Sequence, residues 1–123
     1  LYPLVARAAY PRLGFPAYPG EVAASDADPA DKEAARKAAE AAIPEILEVY
    51  RSFFLGGQKF IGGAAPSIAD IRLAATVEFL RITDLAFPDW LEDYMAAVAG
   101  ALGEAYAGPA ADVRGYIDYV RSR

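Results

Sequence analysis

From Ser67 to Thr83 the chain has almost no polar side. Ile68, Ile71, Leu73, Ala74, Ala75, Val77, Phe79, Leu80 and Ile82 leave a narrow polar edge of Arg72, Thr76 and Thr83, with Glu78 and Arg81 beside it. A helix that is apolar nearly all round has to be surrounded by other elements of the fold. No segment sustains the alternation of apolar and polar residues that would make a half-buried strand. The surrounding layer is therefore helical. The expected fold is all-α, one domain over residues 1–123, a bundle of about five helices with Ser67–Thr83 at its centre. The material for a core is there: 55% of residues are hydrophobic, including eight Tyr, six Phe and one Trp.

Proline and glycine divide the rest. Leu1, Leu4, Val5, Ala8 and Ala9 share one helical face, with Tyr2 and Ala6 beside it. Pro11, Gly14, Pro16, Pro19 and Gly20 then predict a long loop from Pro11 to Asp28. Asp28 as N-cap and Pro29 at the first helical position restart a helix that runs towards Phe54. Pro44 predicts a kink or break in it, because Pro removes an amide that would bond the carbonyl of Glu40. Ile43, Ile46, Leu47, Tyr50, Phe53 and Phe54 read as its core stripe, and Gly56-Gly57 as its end. Pro88 starts a fourth helix with Trp90, Leu91, Tyr94, Met95, Val98 and Leu102 inward. A last helix is expected from about Pro109, with Val113, Tyr116, Ile117 and Val120 at helical spacing and its tyrosines in the core.

What is missing narrows the chemistry. The chain has no Cys and no His. Disulfides and thiol chemistry are excluded, no His base exists, and the ordinary Zn, Cu and haem ligand sets are lacking. Cysteine avoidance fits a reducing compartment, so a cytoplasmic protein is expected. The net charge of −5 opposes binding to a phosphate backbone, so no nucleic-acid partner is expected. No apolar run approaches the roughly 20 residues of a membrane span, and Leu1–Arg7 has no signal-peptide pattern. A chain that opens on Leu1 without an initiator Met is expected to be a piece of a longer protein. The acidic group Asp26, Asp28, Asp31 and Glu33 lacks calcium-loop spacing and reads as a solvated helix start, and no metal site is expected.

The segment Gly63-Ala64-Ala65-Pro66-Ser67-Ile68-Ala69-Asp70 carries the most information. Ser67 and Asp70 have capping-box spacing, and Pro66 and Ile71 occupy hydrophobic-staple positions. With no base to accompany them, Ser67 and Asp70 cap a helix; they are not a nucleophile and its orienter. Losing such a cap costs about 0.5–2 kcal/mol. The box, its approach through Phe60-Ile61-Gly62-Gly63, the apolar central helix and the downstream Phe87-Pro88-Asp89-Trp90-Leu91 together resemble the C-terminal, all-helical domain of the glutathione S-transferases. The spacing of Leu1-Tyr2 and Tyr10-Pro11 is similar to that of the first helix of this domain in theta- and delta-like members.

That resemblance implies a function and partners. It implies an N-terminal thioredoxin-like domain, absent from this chain, that binds glutathione as co-substrate and activates its thiolate for attack on a hydrophobic electrophile, a detoxification reaction. It also implies a homodimer for the full-length protein. No catalytic residue and no cofactor are assigned to this chain, which alone is expected to be inactive. The resemblance places Tyr2, Val5, Ala6 and Tyr10 on the wall of the electrophile pocket, where two rings flanking small residues can leave an apolar concavity. Arg7 departs from that pattern and points to a polar or acidic substrate. The alternative is a non-catalytic, transferase-like interaction module, as in a translation elongation factor subunit.

Overall fold

Three prolines lie inside helices that the sequence pattern ends, breaks or begins at them. A computed structural model of the protein describes residues 1–14 and 28–123. Within these residues α1 spans Tyr2–Leu13 and runs through Pro11, and α2 spans Pro29–Val49 and continues unbroken through Pro44. After α3 (Ile68–Phe79) and α4 (Asp89–Leu102), α5 spans Glu104–Ser122, starting five residues before Pro109. All three prolines are exposed. A proline deprives the carbonyl four residues earlier of its partner, and that carbonyl lies on the same side of the helix. On the wet side water replaces the lost bond, so the helices continue.

The described residues thus form an all-α fold of five helices, with a single Phe60–Gly63 bridge as their only β pairing. Most of the expected loop from Pro11 to Asp28, together with Asp26, lies outside the described residues. The helix ends follow local chemistry. Gly14 takes a left-handed conformation (φ 74°) to close α1. The Asp28 carboxylate accepts the Ala30 amide at 2.7 Å to open α2. Asp89 and Glu92 sit in the positive first turn of α4.

The core is drawn from all five helices, with Val5, Leu13, Ile43, Leu47, Val77, Leu91, Val98 and Ile117 among its buried members. α3 is central as expected, since α1, α4 and α5 all pack on it. It is not covered on every side: Ile68 is 75% exposed, and Ile71 and Ala75 are also exposed. It ends in a 3-10 turn, Leu80–Ile82.

The expected core stripe of α2 fails at its end. Tyr50–Leu55 is a π-helical turn, closed by the Gly56 amide donating to the Arg51 carbonyl. A π-turn holds an extra residue, which rotates everything after it relative to an α-helix. Leu55 takes the inward position, while Phe53 (78% exposed) and Phe54 turn to solvent. Tyr116 and Tyr119 are likewise exposed, contrary to their expected place in the core.

Candidate functional site

The four residues singled out on α1 divide by helical geometry. Val5 belongs to the hydrophobic core, packed behind the helix. Ala6 is 1% exposed, Tyr10 half-buried and Tyr2 45% exposed. Tyr2, Ala6 and Tyr10 are four residues apart and stack along one side. The Tyr2 and Tyr10 hydroxyls are hydrogen-bonded at 2.9 Å, and the rings meet edge to face with centroids 6.3 Å apart. On its far side Tyr10 meets Phe79 of α3, also edge to face, at 6.0 Å. The result is a row of three rings running from the start of α1 to the end of α3, with the small Ala6 between the two tyrosines in sequence. Edge-to-face pairs of this kind contribute about 0.5–1.5 kcal/mol each beyond area burial. Phe79 was not singled out by sequence reading, which gave it only to the apolar surround of the central helix. Arg7 is exposed.

Asp70 organises the start of α3. Its carboxylate is fully buried and accepts the amides of Ile61 (2.7 Å), Gly62 (3.0 Å) and Ser67 (2.8 Å), the Ser67 hydroxyl (3.0 Å) and the Tyr94 hydroxyl (2.8 Å). Ser67 and Asp70 form a capping box. The same carboxylate also staples the preceding loop and α4 to α3. Burial pushes its pKa up. The bonds from Ser67, Ile61, Tyr94 and Gly62 outweigh that and hold it below the ordinary carboxylate value. Burial and the neighbouring carboxylate in turn raise the Tyr94 phenol far above its usual range. The role of Gly62 is steric: a Cβ there would lie 2.5 Å from the Ala65 carbonyl oxygen and 2.9 Å from the Ser67 amide nitrogen. The loop can press against the cap only without a side chain.

A second buried carboxylate closes the other end of α3. Glu78 is 2% exposed and accepts from Arg81 Nε (3.0 Å), the Tyr106 hydroxyl (2.9 Å), and Arg114 Nε (2.9 Å) and Nη2 (2.7 Å). Burial raises its pKa, and the bonds from Arg114 and Tyr106 more than reverse that. Arg81 reaches on to Glu92 of α4, at 3.3 and 3.2 Å. The sequence pattern places Glu78 beside the narrow polar edge of the helix, and nothing local marks it as buried. Beside the local Arg81, its partners Tyr106 and Arg114 come from 28 and 36 residues away. Asp70 and Glu78 thus fix α3 at both ends, and Phe79, next to Glu78, is held with it against Tyr10.

No described helix is long and apolar enough to cross a membrane. Among the described residues no group of acidic side chains could hold a metal ion. A family model described as glutathione S-transferase, C-terminal domain, matches residues 33–102, which is more than half of the chain and includes the capping box but not α1. No curated protein and no solved structure matches the chain.

Proposed function

The chain belongs to the glutathione S-transferase C-terminal domain family, and from that premise we propose that it forms the electrophile-binding half of a glutathione-conjugating enzyme. Family membership implies a thioredoxin-like partner domain in the full-length protein. In this reading that domain holds glutathione and activates its thiol. This chain contributes an apolar wall on which the electrophile lies, in a cytoplasmic, dimeric enzyme. The observation that carries the proposal is the row Tyr2, Tyr10 and Phe79, part-exposed rings held in fixed mutual geometry beside Ala6. Rings pinned in this way offer a flat aromatic or unsaturated substrate a surface with little ordering left to do. Val5 supports the wall from behind. With neither Cys nor His, the chain brings no thiolate-activating group of those types, and alone it is proposed to be inactive in conjugation.

Tyr2 gives the cleaner test, because it is exposed enough for its loss to leave folding nearly unchanged. In the protein that carries both domains, Tyr2→Ala is expected to raise KM for the electrophile about fivefold, with KM for glutathione unchanged. Equal changes in both constants, or in neither, would remove Tyr2 from the wall.

A non-catalytic assembly role rests on a different surface. Phe53 and Phe54 are exposed large apolar residues in the π-helical turn that follows α2, with ring centroids 5.2 Å apart. Exposed rings of this size suit a protein contact, and such a role would leave Tyr2 and Tyr10 without kinetic effect.

A further inference from the structure

We propose that the cleft between the 3-10 turn that ends α3 and the last turns of α5 binds a phosphoryl group, held between the guanidinium groups of Arg114 and Arg121. The cleft encloses about 230 Å³ and is lined by Arg81, Arg114, Ile117, Asp118 and Arg121. It is smaller than the sites that enclose drug-sized ligands. Three of its five lining residues are arginines, whose planar forks match the oxygens of a phosphate. Its floor, Ile117, belongs to the core. The cleft shares no residue with the tyrosine row, so the proposal is independent of the conjugation reading.

Helical spacing offers both arginines a local partner. Asp118 follows Arg114 by four residues and precedes Arg121 by three, so it lies between them on one side of α5. Neither arginine takes it. Arg114 is drawn in to Glu78, through Nε at 2.9 Å and Nη2 at 2.7 Å. Arg121 donates from Nη2 to the carbonyls of Arg81 (2.7 Å) and Thr83 (3.0 Å). Both guanidinium groups are thereby fixed at the cleft before any ligand arrives. Each also keeps donors in reserve: Nη1 of Arg114, and Nε and Nη1 of Arg121, make no hydrogen bond within the described residues. Arg81 is different. Glu78 and Glu92 engage all three of its nitrogens, so it closes the wall and leaves the binding to the other two. These two carboxylates balance the charges of Arg81 and Arg114. Arg121 bonds only to carbonyls, and its charge has no carboxylate partner. A phosphoryl dianion supplies one, and its several oxygens can take the reserve donors of both forks at once.

The test follows the arginine Nε–H signals of the isotope-labelled chain by NMR during titration with inorganic phosphate, with glycerol 3-phosphate, and with sodium chloride at matched ionic strength. Saturating shifts of Arg114 and Arg121 are expected with both phosphate probes, at a Kd of about 1 mM, and none with chloride. Tighter binding of glycerol 3-phosphate would assign the cleft to phosphomonoesters, and equal binding to the free ion; either result supports the phosphoryl site. Arg121→Gln changes an exposed residue and leaves Glu78 its partners, so the variant keeps the fold. It should weaken binding about tenfold. Asp118→Asn removes the like charge beside the anion and should tighten binding about twofold. The proposal is overturned if the shifts do not saturate or appear equally with chloride, or if Arg121→Gln binds phosphate as the wild type does. It is also overturned if Asp118→Asn weakens binding, which would show that the cleft holds its ligand through an ammonium group.

Discussion

Asp70→Ala is expected to lower the stability of the chain by about 3–5 kcal/mol, well above the 0.5–2 kcal/mol of an ordinary cap. The reason is where the donors are. Three of the five hydrogen bonds to this carboxylate come from backbone amides, of Ile61, Gly62 and Ser67, and one from the buried Tyr94 hydroxyl. Backbone amides cannot swing away as side chains can, so the part-buried amides of Ile61 and Ser67 lose their acceptor with no ready replacement when the carboxylate is removed. Urea melts of the wild type and the variant measure the loss. A difference below about 1 kcal/mol would mean that the loop carries the amides out to solvent at little cost. The same carboxylate sets an acid limit. Its folded pKa lies below the ordinary aspartate value of about 3.9. Its contribution is therefore complete above that value and is lost as pH falls through the lower, folded one. Stability should drop below about pH 4, and Asp70→Asn, being far less stable at neutral pH, should show a shallower acid-side slope.

Glu78→Ala is expected to cost about 2–4 kcal/mol. It too removes a buried acceptor of four hydrogen bonds, but its donors are side chains. Arg114 is about half exposed and Arg81 still has Glu92, so both guanidinium groups have somewhere to go. The buried Tyr106 hydroxyl does not. A double-mutant cycle with Arg114→Ala separates the parts. Strong coupling is expected, with the double variant little worse than Glu78→Ala alone. Simple additivity would show that the Glu78–Arg114 pair contributes nothing of its own.

How far the sequence reveals this molecule depends on the range of each interaction. The helix starts at Asp28, Ser67 and Pro88 are local signals, decided by a few consecutive residues, and they are readable. So is the inward face of α4, because a regular α-helix carries its period forward. The prolines mislead because their effect depends on which side of the helix faces water, and that is set by the packing of α1, α2 and α5. Phe53 and Phe54 mislead for a related reason: one π-turn shifts the register, and the sequence pattern contains no sign of it. Glu78 is invisible as a buried hub because Tyr106 and Arg114 are distant in the chain. In the candidate site, Tyr2, Ala6 and Tyr10 fall on one side by spacing alone. The contact with Phe79 exists only through the packing of α3 on α1.

The central claim is that the tyrosine row serves a ligand and is not merely structural. Tyr10 decides it, because it touches both neighbours in the row and is half-buried. The measurement is Tyr10→Ala in the protein carrying both domains, with the melting temperature read beside the steady-state constants for glutathione and the electrophile. The account predicts a modest stability loss, about 1–2 kcal/mol for a half-buried ring. It also predicts a roughly tenfold rise in KM for the electrophile, with KM for glutathione unaltered. A stability loss of about 3–5 kcal/mol, the value for a buried aromatic, with unchanged kinetics in the folded fraction would contradict it and return Tyr10 to the core.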